Sequence, residues 1–285
     1  MINLLRSDLY RLIHGRKFWV VTVLSILLTA GLLTALILLS AASGATQTDT
    51  SGVTVTANAA AGLTPSRRLM DSHTAMLSSS GLGGSSLLAM LIALIAVLVV
   101  MDDWDAGFVK NLLAGRRSQI GYVASRLILS ALLTAWNIVV SIASLELACV
   151  VLGVRFRHTE TIGSYIGFCA LKILGVITFV LIVVALTMIT RSKAFGIASA
   201  VLVGAGIMGS LLNIVLAMIA SYMPWVEQLV QWLPSNNVKL YADSAGLLAT
   251  ANGLPVWAHI LICFTGWIIV SAGATLLVNR RRDVC

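Results

Sequence analysis

The stretch MDDWDAGFVKNLLAGRRSQ, Met101 to Gln119, holds three aspartates, one lysine and two arginines in a chain that is 59% hydrophobic and only 11% charged. Acids ahead of bases, with Trp104, Phe108 and Leu112 recurring at i, i+4 and i+8, predict an amphipathic helix able to dock on a partner. Asp102, Asp103 and Asp105 would fill its first turn, where negative charge complements the helix dipole. Gly115 would stop it ahead of Arg116 and Arg117, and Ser118 can cap a following helix through Tyr122 and Arg126. The plainer alternative is an interfacial loop helix with no partner.

Two further ionisable residues sit inside apolar runs: Glu146 in SIASLELACV and Lys172 in GFCALKILG. A charge near the middle of a membrane costs about 2.5–3.5 kcal/mol even on the lenient insertion scale, so such groups face protein or water. Residues 146 and 172 are equidistant from residue 159 in the short connection between their runs, which gives them comparable depths. Three arrangements are open: an intramembrane ion pair of Glu146 with Lys172, a contact with a substrate or ion, or Lys172 snorkelling outward alone.

Other chemistry is missing. His14, His73, His158 and His259 are scattered over different segments, and HExxH, GxSxG and acidic pairs of catalytic spacing are absent. Cys149, Cys169, Cys263 and Cys285 have no metal-ligand spacing. There is no GxxxxGK[ST] loop, so the chain is not expected to be an enzyme, and any ATP and magnesium it uses must be bound by another chain.

The elements that position these residues are read from the apolar runs. With 285 residues and a mean hydropathy of +0.97, the chain exceeds a soluble core and fits an all-α polytopic membrane protein. Runs at residues 18–41, 82–101, 127–152, 162–189, 194–223 and 256–278 are each long enough to cross a hydrocarbon core, within one transmembrane domain of residues 1–285. The first run is too long for the h-region of a removable signal peptide and reads as a retained span. Six spans place both ends on one side. Thirteen of the nineteen Lys and Arg then fall on that side, five on the other and Lys172 within a span, which makes the richer side cytoplasmic. The net charge of +8 is explained by this asymmetry, and no nucleic-acid partner is expected.

Residues 1–17 place Ile2, Leu5, Leu9, Leu12 and Ile13 at helical spacing with Arg6, Ser7 and Arg11 between, which suits a helix in the cytoplasmic interface. Residues 42–81 read as an external loop, with one short helix near SRRLMDSHTAML. Residues 224–255 form a second external segment in which Trp225, Leu229 and Trp232 recur between two prolines. They suit a short interfacial or re-entrant helix, or simply an aromatic belt. In FGIASAVLVGAGIMGS, Ala200 with Gly204 and Ala205 with Gly209 have the small-xxx-small spacing of close helix packing, a gating hinge being the other reading.

The segment D-x-x-D-A-G-F-V-K-N-L-L…R-R-S-Q-I-G-Y-V-A-S-R, residues 102–126, resembles the coupling helix of permease subunits in the type-2 ABC export superfamily, particularly bacitracin-resistance and lantibiotic-immunity-like members. Asp102 or Asp105, Gly107, Lys110, Leu113 and Arg126 are the matching positions. The N-terminal interfacial helix, the six spans and the long external segment with LPSNN extend the resemblance over nearly the whole chain. It implies a multi-pass subunit in a bacterial cell membrane, paired with a second permease copy and docked on cytosolic ABC ATPase subunits. The cargo would be an amphipathic compound such as a peptide antibiotic, drug or lipid-like molecule. A membrane immunity protein that sequesters a peptide or lipid without pumping is the competing function. A membrane enzyme is disfavoured by the missing catalytic groups.

Overall fold

Uncharged apolar runs fold as helices in lipid because every backbone N–H and C=O must find its partner within the segment. The computed structural model describes residues 2–42, 69–70, 72–79, 86–105, 119–156, 160–223, 225–243, 250–251 and 254–280. Helices α1 (Ile2–His14), α2 (Arg16–Ala42), α3 (His73–Ser79), α4 (Leu87–Asp105) and α5 (Gln119–Leu152) come first. After them come α6 (Ile162–Thr190), α7 (Lys193–Gly204), α8 (Ile207–Ala220), α9 (Trp225–Gln231), α10 (Pro234–Asp243) and α11 (Val256–Arg280).

Four helices, α2, α5, α6 and α11, are individually long and apolar enough to cross a membrane, and α7 with α8 makes a fifth if the bent pair counts as one span. The chain is thus an all-α protein with the apolar helices of a polytopic membrane protein. The apolar part of α4, Leu87–Asp102, is shorter than these. It nonetheless lies at the centre of the bundle, with Leu88, Ile92, Ala96 and Val97 each at most 1% exposed. Large apolar side chains cover the outside, among them Val150 at 79% and Met218 at 67% exposure, as expected where the surrounding solvent is lipid.

Glycines set the closest approaches. A Cβ on Gly204 would lie 2.6 Å from Met90 Cα, and one on Gly196 would lie 2.7 Å from Thr187 Cγ2 and Val97 Cγ1. Helix α7 therefore packs directly on the backbone of α4, and the small-residue spacing serves packing there. The single span expected over residues 194–223 is instead broken. Gly206, at φ +79°, follows Ala205, and α8 leaves the line of α7 by 65°. A left-handed residue between two apolar helices is a turn that glycine makes without strain.

Helices α9 and α10 double back against α11. Trp267 Nε1 donates to the carbonyl of Trp232 at 3.0 Å. Trp267 lies eleven residues into α11, about 16 Å along it at the usual helical rise. The α9–α10 turn therefore reaches close to half way down that helix. Two short strand pairs complete the fold: β1 (Leu69–Met70) lies parallel to β2 (Arg155–Phe156), and β3 (Thr250–Ala251) antiparallel to β4 (Leu254–Pro255). The β1–β2 pair delivers α3 to the ends of α5 and α6.

Candidate functional site

At the end of the bundle rich in bases, the acidic residues do not open a new helix. Asp102 to Asp105 form the last turn of α4, a continuous helix from Leu87. Negative charge at a helix C-terminus opposes the macrodipole, so this turn depends on cations brought from elsewhere. Lys17, in the first turn of α2, pairs with Asp102, each side chain being about half exposed. The guanidinium of Arg191 lies 5.0 Å from the ring centre of Trp104. Arg191 adopts φ 52° where α6 ends, with its N–H on the carbonyl of Thr187, and its Nε and one terminal nitrogen are buried without a hydrogen-bond partner. The ring face of Trp104 is thus the principal described neighbour of that charge.

Residues 106–118 lie outside the described residues, and with them Gly107, Phe108, Lys110, Leu112, Leu113, Arg116 and Arg117, as do the side chains of Asp103 and Asp105. The segment is bounded by the end of α4 and by Gln119, where α5 begins. Arg126, two turns into α5, donates to Asp8 of α1 at 3.1 Å, and both side chains are only 3% exposed. Its guanidinium also lies 5.1 Å from the ring centre of Tyr122. Asp8 is the functional residue that pattern reading missed. Its signal is an acid at the spacing of Leu5, Leu9 and Leu12, on the stripe that should have been apolar. Between these helix ends lies a cavity of about 400 Å³, lined by Asp8, Arg11, Arg16, Lys17, Asp102 and Arg126 with Leu12, Phe18, Val99 and Leu129.

At the opposite end, Glu146 and Lys172 do not form the expected ion pair. Glu146 accepts from Tyr165 at 2.7 Å and from His73 Nδ1 at 3.1–3.2 Å. Lys172, 5% exposed, donates to the carbonyl of Leu77 at 2.8 Å. The physical reason is α3, which supplies both new partners. Leu77 lies in its last turn, where carbonyls lack helical partners and the dipole favours a cation. A third element, α3, contacts each of the two groups. His73 also stacks on Phe156 with ring centres 3.6 Å apart, and Thr74 donates to Glu160 through both its hydroxyl and its N–H. His73, Glu146, Glu160, Ile162 and Tyr165 line a cavity of about 270 Å³.

The segment with the tryptophans is anchored through backbone carbonyls. His259, Cys263 and Trp267 recur at i, i+4 and i+8 on one stripe of α11. They lie on the carbonyl of Gln231 at 3.3 Å and on that of Trp232 at 3.1 and 3.0 Å. Asn237 donates to Gln231 and Leu233 carbonyls at 2.9 and 3.0 Å. Together they supply donors to the carbonyls at the end of α9 that lack helical partners. Trp225 and Leu229 face outward at 61% and 51% exposure, and Trp232 at 37%.

No group of three or more His, Cys, Asp and Glu side chains among the described residues is arranged to hold a metal ion. Cys149, Cys169 and Cys263 are free thiols. No family model matches the chain, and no curated protein matches it.

Proposed function

We propose that the chain is the membrane-spanning permease subunit of an ABC-type exporter, working as a pair of permeases with separate cytosolic subunits that bind and hydrolyse ATP. In this reading it has six crossings: α2, α4, α5, α6, the bent pair α7–α8, and α11. The base-rich ends face the cytoplasm, as the positive-inside bias requires. The observation that carries the proposal is the set of links around residues 106–118. Asp102 ties the end of α4 to α2, Trp104 ties it to α6 through Arg191, and Arg126 ties the start of α5 to α1. A push on that segment would therefore be felt by five helices at once, which is what a docking point for an ATPase needs.

The cargo proposed is an amphipathic compound entering from the bilayer or its interface. The tryptophan-bearing α9–α10 hairpin, re-entrant in this orientation, and the apolar bundle suit such a molecule better than a small hydrophilic solute. The test is co-expression with a neighbouring ATPase gene, purification of the complex, and ATP hydrolysis in nanodiscs. Replacing Phe108 and Lys110 together by alanine should detach the ATPase or remove cargo-stimulated hydrolysis while membrane insertion persists. Unchanged partner binding and stimulation in that variant would overturn the coupling assignment. Protection of cells that survives a hydrolysis-dead ATPase would instead support sequestration without pumping.

A further inference from the structure

We propose that α3 is a lid across the cleft between α5 and α6, latched by hydrogen bonds and released as one unit. Its opening would uncover Lys172 and Cys149 at the end of the bundle opposite the bases. The helix has seven residues, His73–Ser79. A helix shorter than about 12 residues is marginal in water by itself, so α3 holds its shape through what it touches. It lies against α6 and α10, and its Met76 meets Cys149 of α5, sulfur to sulfur, at 3.0 Å.

Three latches hold it. Glu146 accepts from His73 Nδ1 at 3.1–3.2 Å, Glu160 accepts from the hydroxyl and N–H of Thr74, and Lys172 donates to the Leu77 carbonyl at 2.8 Å. The first two open onto the 270 Å³ cavity, which His73, Glu146 and Glu160 line. The side chains of His73 and Glu146 are 35% and 28% exposed. Water entering the cavity can take over these bonds one at a time, with an enthalpy close to that of the direct contact. The third latch is sealed, because Lys172 is 5% exposed and Leu77 0%. It parts only when the helix as a whole moves away, so the outer latches go first and the inner one last. The seat is also suited to being uncovered. Ionisable groups regain hydration when a buried surface opens, so a cleft walled by Glu146, Glu160 and Lys172 is stabilised by the water that fills it. Against that stands the burial of Met76 and Leu77, which keeps the closed form as the resting state. In the orientation proposed above the lid faces outside, where cargo would leave.

The experiment uses native thiols. Cys149 is 1% exposed beside Met76, and Cys263 is 3% exposed against the carbonyl of Trp232. Two forms of the full-length chain in detergent, one keeping only Cys149 and one only Cys263, the other cysteines being serine, are reacted with N-ethylmaleimide. Labelling of a buried thiol follows the fraction of time its cover is open. His73→Phe with Thr74→Val keeps a ring to stack on Phe156 and the shape of the threonine, and removes the ring and hydroxyl donors. A hydrogen bond to a charged group is worth about ten-fold or more in an equilibrium, so the pair should speed Cys149 labelling about a hundred-fold. Cys263 labelling should stay as in the parent. Unchanged Cys149 labelling would overturn the lid, and so would equal acceleration of both thiols, which would mean a general loosening. If the pair misfolds, His73→Phe alone is read in the same way, at about ten-fold. In a second arm, Met76→Cys places a thiol against Cys149, and copper phenanthroline closes the disulfide that ties α3 to α5. The locked chain should bind its ATPase and transport nothing until dithiothreitol releases it, whereas full transport while locked would overturn the lid. This arm rests on the exporter reading, and the two failures differ. Absence of transport from the reduced chain as well would refute that reading, and the labelling would still decide the lid.

Discussion

Replacing Asp8 by asparagine should be among the most damaging single changes in the chain. The carboxylate lies 3.1 Å from the Arg126 guanidinium, and both side chains are 3% exposed. At that separation and an effective dielectric near 20 the attraction is about 5 kcal/mol. Much of it only offsets the cost of taking both charges out of water, so the pair adds little over two well-packed apolar residues. Removing one member is different, because the desolvation cost of the other remains while its compensation is lost. Asp8→Asn and Arg126→Gln should each lower stability by about 3–5 kcal/mol. The double variant should cost much less than their sum, leaving a coupling energy of about 2–3 kcal/mol. Reversible unfolding by SDS in mixed micelles gives the four free energies of the cycle directly. A coupling energy under about 0.5 kcal/mol would refute the reasoning, since independent sites add within that margin.

Three other outcomes are expected. Gly204→Ala places a methyl 2.6 Å from Met90 Cα, which is backbone and cannot turn aside, so α7 must move off α4 at a cost of about 1–3 kcal/mol, measured in the same unfolding assay. Glu146→Gln and Lys172→Met should be additive within about 0.5 kcal/mol, because His73 and Tyr165 hold one and the Leu77 carbonyl the other. A large positive coupling would restore the direct pair. Trp267→Phe removes the indole donor to the Trp232 carbonyl and should destabilise by about 1 kcal/mol, with faster amide exchange confined to residues 225–243. Unchanged exchange there would show that the anchor lies elsewhere.

Where hydrophobic length alone decides, sequence and structure agree closely: the run at 162–189 becomes Ile162–Thr190, and that at 256–278 becomes Val256–Arg280. A helix before the first long run is likewise present as Ile2–His14, broken from α2 at Gly15, where a Cβ would lie 3.0 Å from the Arg11 carbonyl. The departures occur where a helix end or a charge is settled by a distant element. The run at 82–101 carries no sign that its helix continues through Asp105, because Lys17, which pairs with Asp102, and Arg191, which lies on the Trp104 ring, are far away in sequence. The short helix expected near SRRLMDSHTAML is α3, but nothing local to Glu146 or Lys172 shows that it brings His73 to the one and the Leu77 carbonyl to the other. The break at Ala205–Gly206 carried a local signal, a glycine beside a small residue, but the same letters also spell close packing, and both uses occur within one helix pair. The stripe of His259, Cys263 and Trp267 has no meaning until the carbonyls of α9 are placed against it.

The acids at the end of α4 show how far local rules extend in such a chain. Read as a helix start, they satisfy the dipole and ask nothing of the rest of the protein. As the end of a helix, they oppose the dipole; Lys17 of α2 offsets Asp102, and Arg191 at the end of α6 lies over the Trp104 ring, so the last turn of α4 is braced by both neighbours. A turn that depends on two neighbours is also one through which those neighbours can be moved. Under the proposed function, displacement of residues 106–118 would act first on Asp102 and Trp104, and both lie one turn or less from the boundary of that segment. Arg191→Ala should therefore uncouple hydrolysis from transport more than it lowers stability, because it frees α6 from the α4 end without opening the buried core. If instead Arg191→Ala melts the bundle and leaves the coupling ratio of the surviving protein unchanged, the contact is a structural plug and force must leave the segment through Arg126 alone.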